Sequence, residues 1–506
     1  MMRSSVPFVH RLLTLAVLTA ALAGRDASAT PKHGTQPPAP HGPDLDAQPI
    51  ALHEVLAVAV RQAPDLARAS LDANAAEGVL VHAGAITDTT LTAGATIDHQ
   101  RVGNQTTDVY NSDSATESIA LSKLISTGAT VGITATTKRT SAAVFGTQPF
   151  KEVDSELLVS VTQPLLRGIG AGATLAPIRV AQAQRDAATV RADQRARDLV
   201  RDIVIAYANL ELAWRSLDAR RSSLALAEKQ QVFTQAAINV EKLPKSEGYS
   251  VEEAVATRTQ DVIAAELAVW DRSLALRQLA GLEIRADQIA IRTSAIEQGD
   301  PHAPDVGPAI QAAVASNLEL AALRDSERGA QASVDGFANE TLPQLNLTVA
   351  GGPVGSSSTF SSSIDELHNG FDVNATLSLT YALSNSLGRG DRMSAHAQLL
   401  RAKVDTRQGH DTVAAQVVRF VQQIEAATTS LELGAKAVKL AEMNVEAEQR
   451  RLEAGRSSNN EVLRRQDELV NIRLREVSFE AQRVIARAQL EALTGTILTS
   501  NHITLH

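Results

Sequence analysis

Two stretches of this chain have helical composition for about seventy residues each, and they occupy matching places in an internal duplication. At about 1.5 Å rise per residue such a helix spans roughly 100 Å, more than a compact globule accommodates. The first repeat opens with a helical segment over 52–82 and the second with one over 308–339. There "AVRQAPDLARA" (59–69) and "AVASNLELAAL" (313–323) correspond. Each opening segment is followed by short stretches of period-two character, then the long helical stretch, a short turn and a return helix. The pattern predicts long helices over about 173–243 and 250–284 in the first repeat, and over about 390–454 and 459–495 in the second.

The long stretches carry a narrow apolar stripe. Leu199, Ile203, Ala206, Leu210, Ala213, Leu217 and Leu224 recur at spacings of four and three until Arg220 interrupts, and Val417, Val421, Ile424, Thr428 and Leu431 repeat the pattern. On a background of Ala, Arg, Asp, Gln and Glu, such a seam means coiled-coil packing.

The period-two stretches point elsewhere. Over 371–381 the odd positions are Phe371, Val373, Ala375, Leu377, Leu379 and Tyr381, and the even ones Asp372, Asn374, Thr376, Ser378 and Thr380. Leu91, Ala93, Ala95 and Ile97 alternate with Thr90, Thr92, Gly94, Thr96 and Asp98, and Leu157, Val159 and Val161 alternate less cleanly with Leu158, Ser160 and Thr162. Strands greasy on one face and polar on the other suit a transmembrane barrel with a wet lumen, or a sheet with one face on a core and one in water. The company of two very long helices favours the barrel. Phe371 and Tyr381 stand where two aromatic girdles would fall. No segment offers eighteen apolar residues in a row, so a barrel is the available membrane element.

Strands are expected over about 90–166 in the first repeat and 342–383 in the second. The first repeat holds an extra pair, 118–125 and 130–138, between its outer two. Either this pair is an added hairpin outside the membrane or the first repeat supplies four spanning strands; the spacing favours two spanning strands per repeat with an appendage. Four strands cannot enclose an open lumen, since about eight fill theirs with side chains, so the chain must associate.

Composition closes several other routes. With no Cys, thiolate metal sites, iron–sulfur clusters, Cys nucleophiles and disulfides are excluded. A net charge of −9 argues against nucleic acid as partner, and 3% aromatics argue against several ordinary globular cores. At the start, Arg3 and Arg11 flank a polar segment that precedes an apolar run over 12–23, and Ala27, Ser28 and Ala29 form a small-residue cleavage site, so 1–29 reads as a signal peptide. A Pro-rich leader over 30–49 follows. The repeats then occupy 50–284 and 308–495, with a linker over 285–307 and a tail over 496–506.

At "VTQPLLRGIGAG" (161–172), and in the twice-used strand and long-helix plan, the chain resembles the outer-membrane efflux protein family, the TolC-like exit ducts, over about residues 50–495. Gln163, Pro164, Leu165, Arg167 and Gly168 are similar to that family's barrel-to-helix junction, and "SLTYALS" (378–384) holds the corresponding place in the second repeat. "LEAGRSSNNEVLRRQDELV" (452–470) resembles its far turn and "ALTGTI" (492–497) its closing helix end.

The resemblance implies a mainly α fold with a β-barrel portion. A homotrimer would form a twelve-stranded outer-membrane barrel over a periplasmic α-helical coiled-coil cylinder, in a Gram-negative outer membrane with a large periplasmic portion. Its function would be a passive exit duct for a tripartite efflux pump or a type I secretion system, served by a periplasmic adaptor and an inner-membrane pump, with outer-membrane lipid around it. No enzyme activity and no cofactor are implied. The alternative is an exported coiled-coil structural protein without a pore. The resemblance also marks Glu461, Arg464 and Asp467 as pore-iris residues, and Ala454, Gly455, Arg456 and Gly248 as adaptor-docking positions. In the first repeat's turn (241–255) Pro244 breaks the outgoing helix, and Ser250 with Glu253 reads as a capping box.

Three lookalikes carry nothing further. Gly168, Gly170 and Ala173 approximate a dinucleotide fingerprint, but no second strand follows. Arg389-Gly390-Asp391 is a chance match to an adhesion tripeptide. The His residues show no metal-ligand spacing.

Overall fold

The computed structural model describes residues 49–103, 109–144, 150–285, 289–296 and 300–503. The expected signal peptide and nearly all of the leader lie outside these residues, as do parts of the linker and residues 504–506 of the tail.

The first repeat runs α1 (Leu52–Gln62), α2 (Pro64–Gly84), β1 (Thr89–Gly103), β2 (Val109–Leu124), β3 (Thr130–Val144), β4 (Phe150–Pro164), α3 (Gly170–Thr174), α4 (Ala176–Asn239) and α5 (Ser246–Ala280). The second runs α6 (Val306–Ser316), α7 (Leu318–Glu340), β5 (Gln344–Ser357), α8 (Phe360–Asp365), β6 (Gly370–Thr380), α9 (Ser386–Glu453), α10 (Asn459–Thr494) and α11 (Ile497–Ser500). Each opening helix, expected as one piece, is two. In the first repeat Pro64 excludes Ala63 from the helical region, so Ala63 is extended (ψ 124°). In the second, Asn317 is extended and its side chain accepts from the Leu320 amide, capping α7 and leaving a bend of 47°. Among the described residues no single helix is long and apolar enough to cross a membrane.

The helices α4 and α9 have 64 and 68 residues, hence lengths of about 100 Å. Their stripes are the packing seams. Leu199, Ile203, Leu210 and Leu217 are buried in one core with Val269 and Leu276 of α5, and Val417, Val421 and Ile424 in a second core with Leu320 of α7 and Leu490 of α10. Midway along α4 a collar is clipped on. Ile50 bridges Thr293, and the Tyr207 hydroxyl donates to the Ile50 carbonyl (2.7 Å) while accepting from the Ser294 amide (2.9 Å). The Trp214 indole donates to the Ile291 carbonyl (2.8 Å) with the Arg292 guanidinium 4.5 Å above its ring.

The described strands form one antiparallel sheet in the order β1-β2-β3-β4-β5-β6. This corrects the expectation of an appended hairpin: β2 and β3 lie inside the sheet, paired along their whole lengths with β1 and β4. β2 and β3 outrun the expected 118–125 and 130–138 because turn-like Ser, Thr and Asn continue the pairing beyond the apolar positions.

Candidate channel wall and helical tip

Register decides what each face of the sheet carries. Every antiparallel pair joins odd-numbered to odd-numbered residues, so one face collects the odd positions of all six strands. Side by side at one level lie Leu91, Leu121, Ile133, Val159, Gly351 and Val373, and at the next Ala93, Ile119, Ala135, Leu157, Pro353 and Phe371. The even face carries Thr90, Ser122, Gly132, Ser160, Ala350 and Asn374 at one level, with Thr162 and Thr348 hydrogen-bonded across strands (3.0 Å) at another. The apolar face is the barer one. Val159 is 49% and Val349 43% exposed, whereas Ser160 and Thr348 are half-buried and Ala350 is buried. Apolar atoms are thus presented outward while the polar face is drawn together.

Above the apolar belt the same face turns polar, with Glu117 and Arg139 paired at 3.4 Å and His99 and Asp113 at 2.5 Å. Here the β5–β6 connection folds back on the sheet. Ser363 of α8 is fully buried and hydrogen-bonded to Ser155 (2.9 Å), Gly355 leaves no room for a Cβ beside the Ser363 carbonyl, and Arg139 stands 5.8 Å over the Phe360 ring. Phe371 and Tyr381 are both exposed, ten positions apart on the apolar side.

At the sheet's other end three connections meet. Leaving β4, the Leu165 and Arg167 amides donate to the Leu345 and Pro343 carbonyls (2.7 and 3.2 Å). Gln163 folds onto the Pro164 carbonyl, and Arg167 lies 3.9 Å from Glu340. Gly168 and Gly170 have φ of +90° and +86°, which only glycine adopts readily, and the Gly168 amide donates to the Asn339 side chain. The turn between β2 and β3 closes the cluster: the Gly170 amide donates to the Thr127 carbonyl (2.9 Å), and a Cβ on Gly128 would strike the Gly168 carbonyl. The five junction residues named from sequence are therefore brought together. In the second repeat Asn385, at φ 41°, makes the bend and donates to the Thr341 carbonyl (2.9 Å).

The far tip is built around two turns. In the second repeat Ala454 ends α9, Gly455 takes φ +69°, and the Gly455 and Arg456 amides return to the Leu452 and Arg451 carbonyls (2.9 and 2.8 Å). Ser458 caps α10, accepting from the Glu461 amide. The Glu461 carboxylate is held by Arg464 (2.6 Å) and Arg465 (3.3 Å) on its own helix. Asp467 instead meets Arg258 of α5 at 2.8 Å. The iris candidates thus share one end of α10, with Asp467 tied to the first repeat.

In the first repeat Glu241 takes the left-handed conformation (φ 58°) and the Lys242 amide returns to the Ala237 carbonyl (2.9 Å). Gly248 lies in the first turn of α5, where a Cβ would sit 3.2 Å from the end of Ile238. The Ser250–Glu253 capping box is corrected. Lys245 is the capping position, with no side-chain cap, and the Ser250 hydroxyl donates to the Glu247 carbonyl (3.0 Å), because the helix starts one turn earlier than its polar residues suggest.

Three tip residues escaped sequence reasoning. Arg258 is buried and donates to the Ser223 carbonyl, Gln466 and Asp467. Asn459 is fully buried, accepts from Gln230 (2.6 Å) and Thr234 (3.2 Å), and donates to Glu247 (3.1 Å). Glu448 is bonded by the Ser457 hydroxyl and paired with Arg451 at 3.2 Å. The Ser457 hydrogen bond above all, helped by Arg451, holds its pKa below the usual carboxylate range against the burial that would raise it. A lone Arg at an otherwise apolar seam position was the available signal for Arg258; nothing marked its partners. Among the described residues no group of His, Asp and Glu could hold a metal ion.

The structure thus joins an antiparallel sheet with one apolar, exposed face to helices of about 100 Å. Residues 309–496 match the family described as outer membrane efflux protein, which bears out the resemblance over the second repeat. Among solved structures, CusC is similar at 12% identity and TM-score 0.66, over 92% of this chain and 98% of that one. The outer membrane protein VceC of Vibrio cholerae is similar at 14% and 0.64, over 88% and 96%. The CmeC outer membrane channel of Campylobacter jejuni is similar at 11% and 0.65, over 88% and 85%. No curated protein matches the sequence. The outer-membrane location expected from the sequence, with a large helical portion in the periplasm, accords with the matched family.

Proposed function

We propose that this chain forms, with two further copies, a passive exit duct through the outer membrane for an efflux pump or a type I secretion system. The observation that carries the reading is the two-faced sheet running directly into the long paired helices. The sheet gives a polar hole in lipid and the helices extend it across the periplasm. It is open at β1 and β6, and unpaired backbone groups are not tolerated in hydrocarbon, so closure requires other copies. Three is the number the family resemblance implies. Energy and substrate choice then belong to an inner-membrane pump acting through a periplasmic adaptor, and no residue of this chain is assigned catalysis.

Within this reading Ala454, Gly455 and Arg456 form the turn that an adaptor hairpin grips. Glu461, Arg464 and Asp467 line the constriction, where Arg464 and Arg465 pair with the Glu461 carboxylate and offset its negative charge. The repeats are the two halves of one subunit, at about 50–284 and 308–495.

The test is reconstitution of the purified full-length protein in planar bilayers. Detergent-dependent trimers giving ohmic steps, with ion selectivity altered by Glu461→Lys, are expected. A monomer that stays in solution without detergent and never conducts would instead identify a coiled-coil protein without a pore.

A further inference from the structure

Resting on the duct reading, we infer that each copy places six strands, not four, in the membrane wall. Three copies joined β6 to β1 then close an eighteen-stranded barrel.

The first argument is continuity of the belt. On β2 and β3 the apolar face shows Leu121 and Ile133, exposed to 45% and 46%, level with Val159 of β4 (49%) and Val373 of β6 (63%), and in the next row Ile119, exposed to 58%, beside Ala135 and Leu157. A hairpin standing in water would gain nothing from this stripe, whereas lipid accommodates it. The polar face continues likewise through Ser118, Ser122 and Thr134. Lys123 is the charged exception among these lower rows and sits at the periplasmic end of β2, where its stem can carry the ammonium to the interface.

The second argument is anchoring. The β2–β3 turn is bonded into the barrel-to-helix junction through Gly170 and Thr127, and Gly128 packs without a side chain against Gly168. The hairpin therefore starts at the same level as the strands on either side. With 16 and 15 residues, β2 and β3 exceed the roughly 9–11 a tilted strand needs to cross hydrocarbon.

The third is closure. Five successive antiparallel pairings leave β1 and β6 running in opposite directions, so β6 of one copy can pair antiparallel with β1 of the next. Inserting two strands preserves that parity; one would destroy it. Diameter grows about linearly with strand number, so eighteen strands give a bore about 1.5-fold wider than twelve. The expected twelve-stranded count is replaced accordingly.

The chain has no Cys, so single-Cys reporters need no background removal. Ile119→Cys, Leu121→Cys and Ile133→Cys in the full-length protein, labelled with an environment-sensitive fluorophore in liposomes, should be quenched by brominated acyl chains as strongly as Val159→Cys, Val349→Cys and Leu377→Cys. Quenching of the β2–β3 labels by aqueous iodide alone, with the other three still quenched by lipid, overturns the six-strand wall and leaves the duct standing. If none of the six is lipid-quenched, the duct reading fails and the inference with it. Should labelling disturb assembly, electron cryomicroscopy of the unmodified protein in nanodiscs decides: eighteen strands in a three-copy ring are expected, and twelve refute the proposal.

Discussion

The two repeats share a plan and differ at its ends. Both open with a broken helix, pass through strands and return along a helix of about 100 Å. Yet the first inserts four strands and the second two, and the first turns its tip with Glu241 while the second uses Gly455. The shared plan lies where the long helices pack, α4 on α5 of its own repeat and on α7 and α10 of the other, and α9 on α7 and α10 of its own. Divergence collects where the chain reverses direction. A seam constrains every fourth or third residue along its length, whereas a reversal must only bring the chain back, which different residues can do.

The seam should therefore show the largest effects, and the repeats should differ in degree. Leu210 is fully buried in the larger core, beside Tyr207, Trp214 and Leu217; Leu320 is buried in the smaller one with Val417 and Leu490. Each truncation to Ala should destabilise by about 2–5 kcal/mol. Leu210→Ala should fall at the upper end, because rigid aromatic neighbours collapse less readily into the space. Denaturant unfolding in detergent measures this, and equal losses would mean that the cores are equivalent despite their composition.

What was legible in the sequence follows the same division. The seam residues from Leu199 to Leu217 and the alternation of 371–380 read directly, because periodicity is local. The breaks at Ala63 and Asn317 did not, since one opening helix still shows a helical pattern through its bend. Arg258 stands over two hundred residues from Gln466 and Asp467 in sequence, and only packing of α5 on α10 unites them. The place of β2 and β3 was invisible for a related reason: alternation tells which face a residue takes, not which strand lies beside it.

The tie between the repeats comes next. Arg258→Ala removes a buried guanidinium from Gln466, Asp467 and the Ser223 carbonyl, and should cost about 1–3 kcal/mol. Asp467 is 61% exposed at its side chain, so Asp467→Ala should cost much less. Hydrogen exchange at the α5 and α10 amides near the tip should rise in the first variant only. Comparable exchange in both would make the salt bridge, not the buried hydrogen bonds, the tie.

The turns differ more mildly. Any side chain at Gly455 meets open space but must hold φ +69°, so Gly455→Ala should cost about 1 kcal/mol. Gly248→Ala lies in a helix, where the gain in propensity of up to about 1 kcal/mol opposes a close approach to Ile238, and should be nearly neutral. Under the duct reading a bulky residue at 455 should also abolish efflux while folded trimers persist. Loss of efflux at 248 with wild-type efflux at 455 would move the adaptor contact to the first repeat.

The smallest effect is a pH dependence confined to the second tip. Glu448, on the last turns of α9, is held below its ordinary pKa chiefly by the Ser457 hydroxyl, then by Arg451. A carboxyl depressed in the folded state contributes its stabilisation above its unfolded pKa and loses it as pH falls through the folded value. Proteolysis at 454–458 should accordingly be slow near neutrality and quicken as the medium is taken below the ordinary carboxylate range. Glu448→Gln, which cannot ionise, should show quicker cleavage at neutral pH and flatten the acid dependence. The first repeat reverses through the backbone conformation of Glu241, so its turn at 240–245 should change less over the same range. Parallel acceleration at both turns would assign the acid response to the bundle as a whole and not to Glu448.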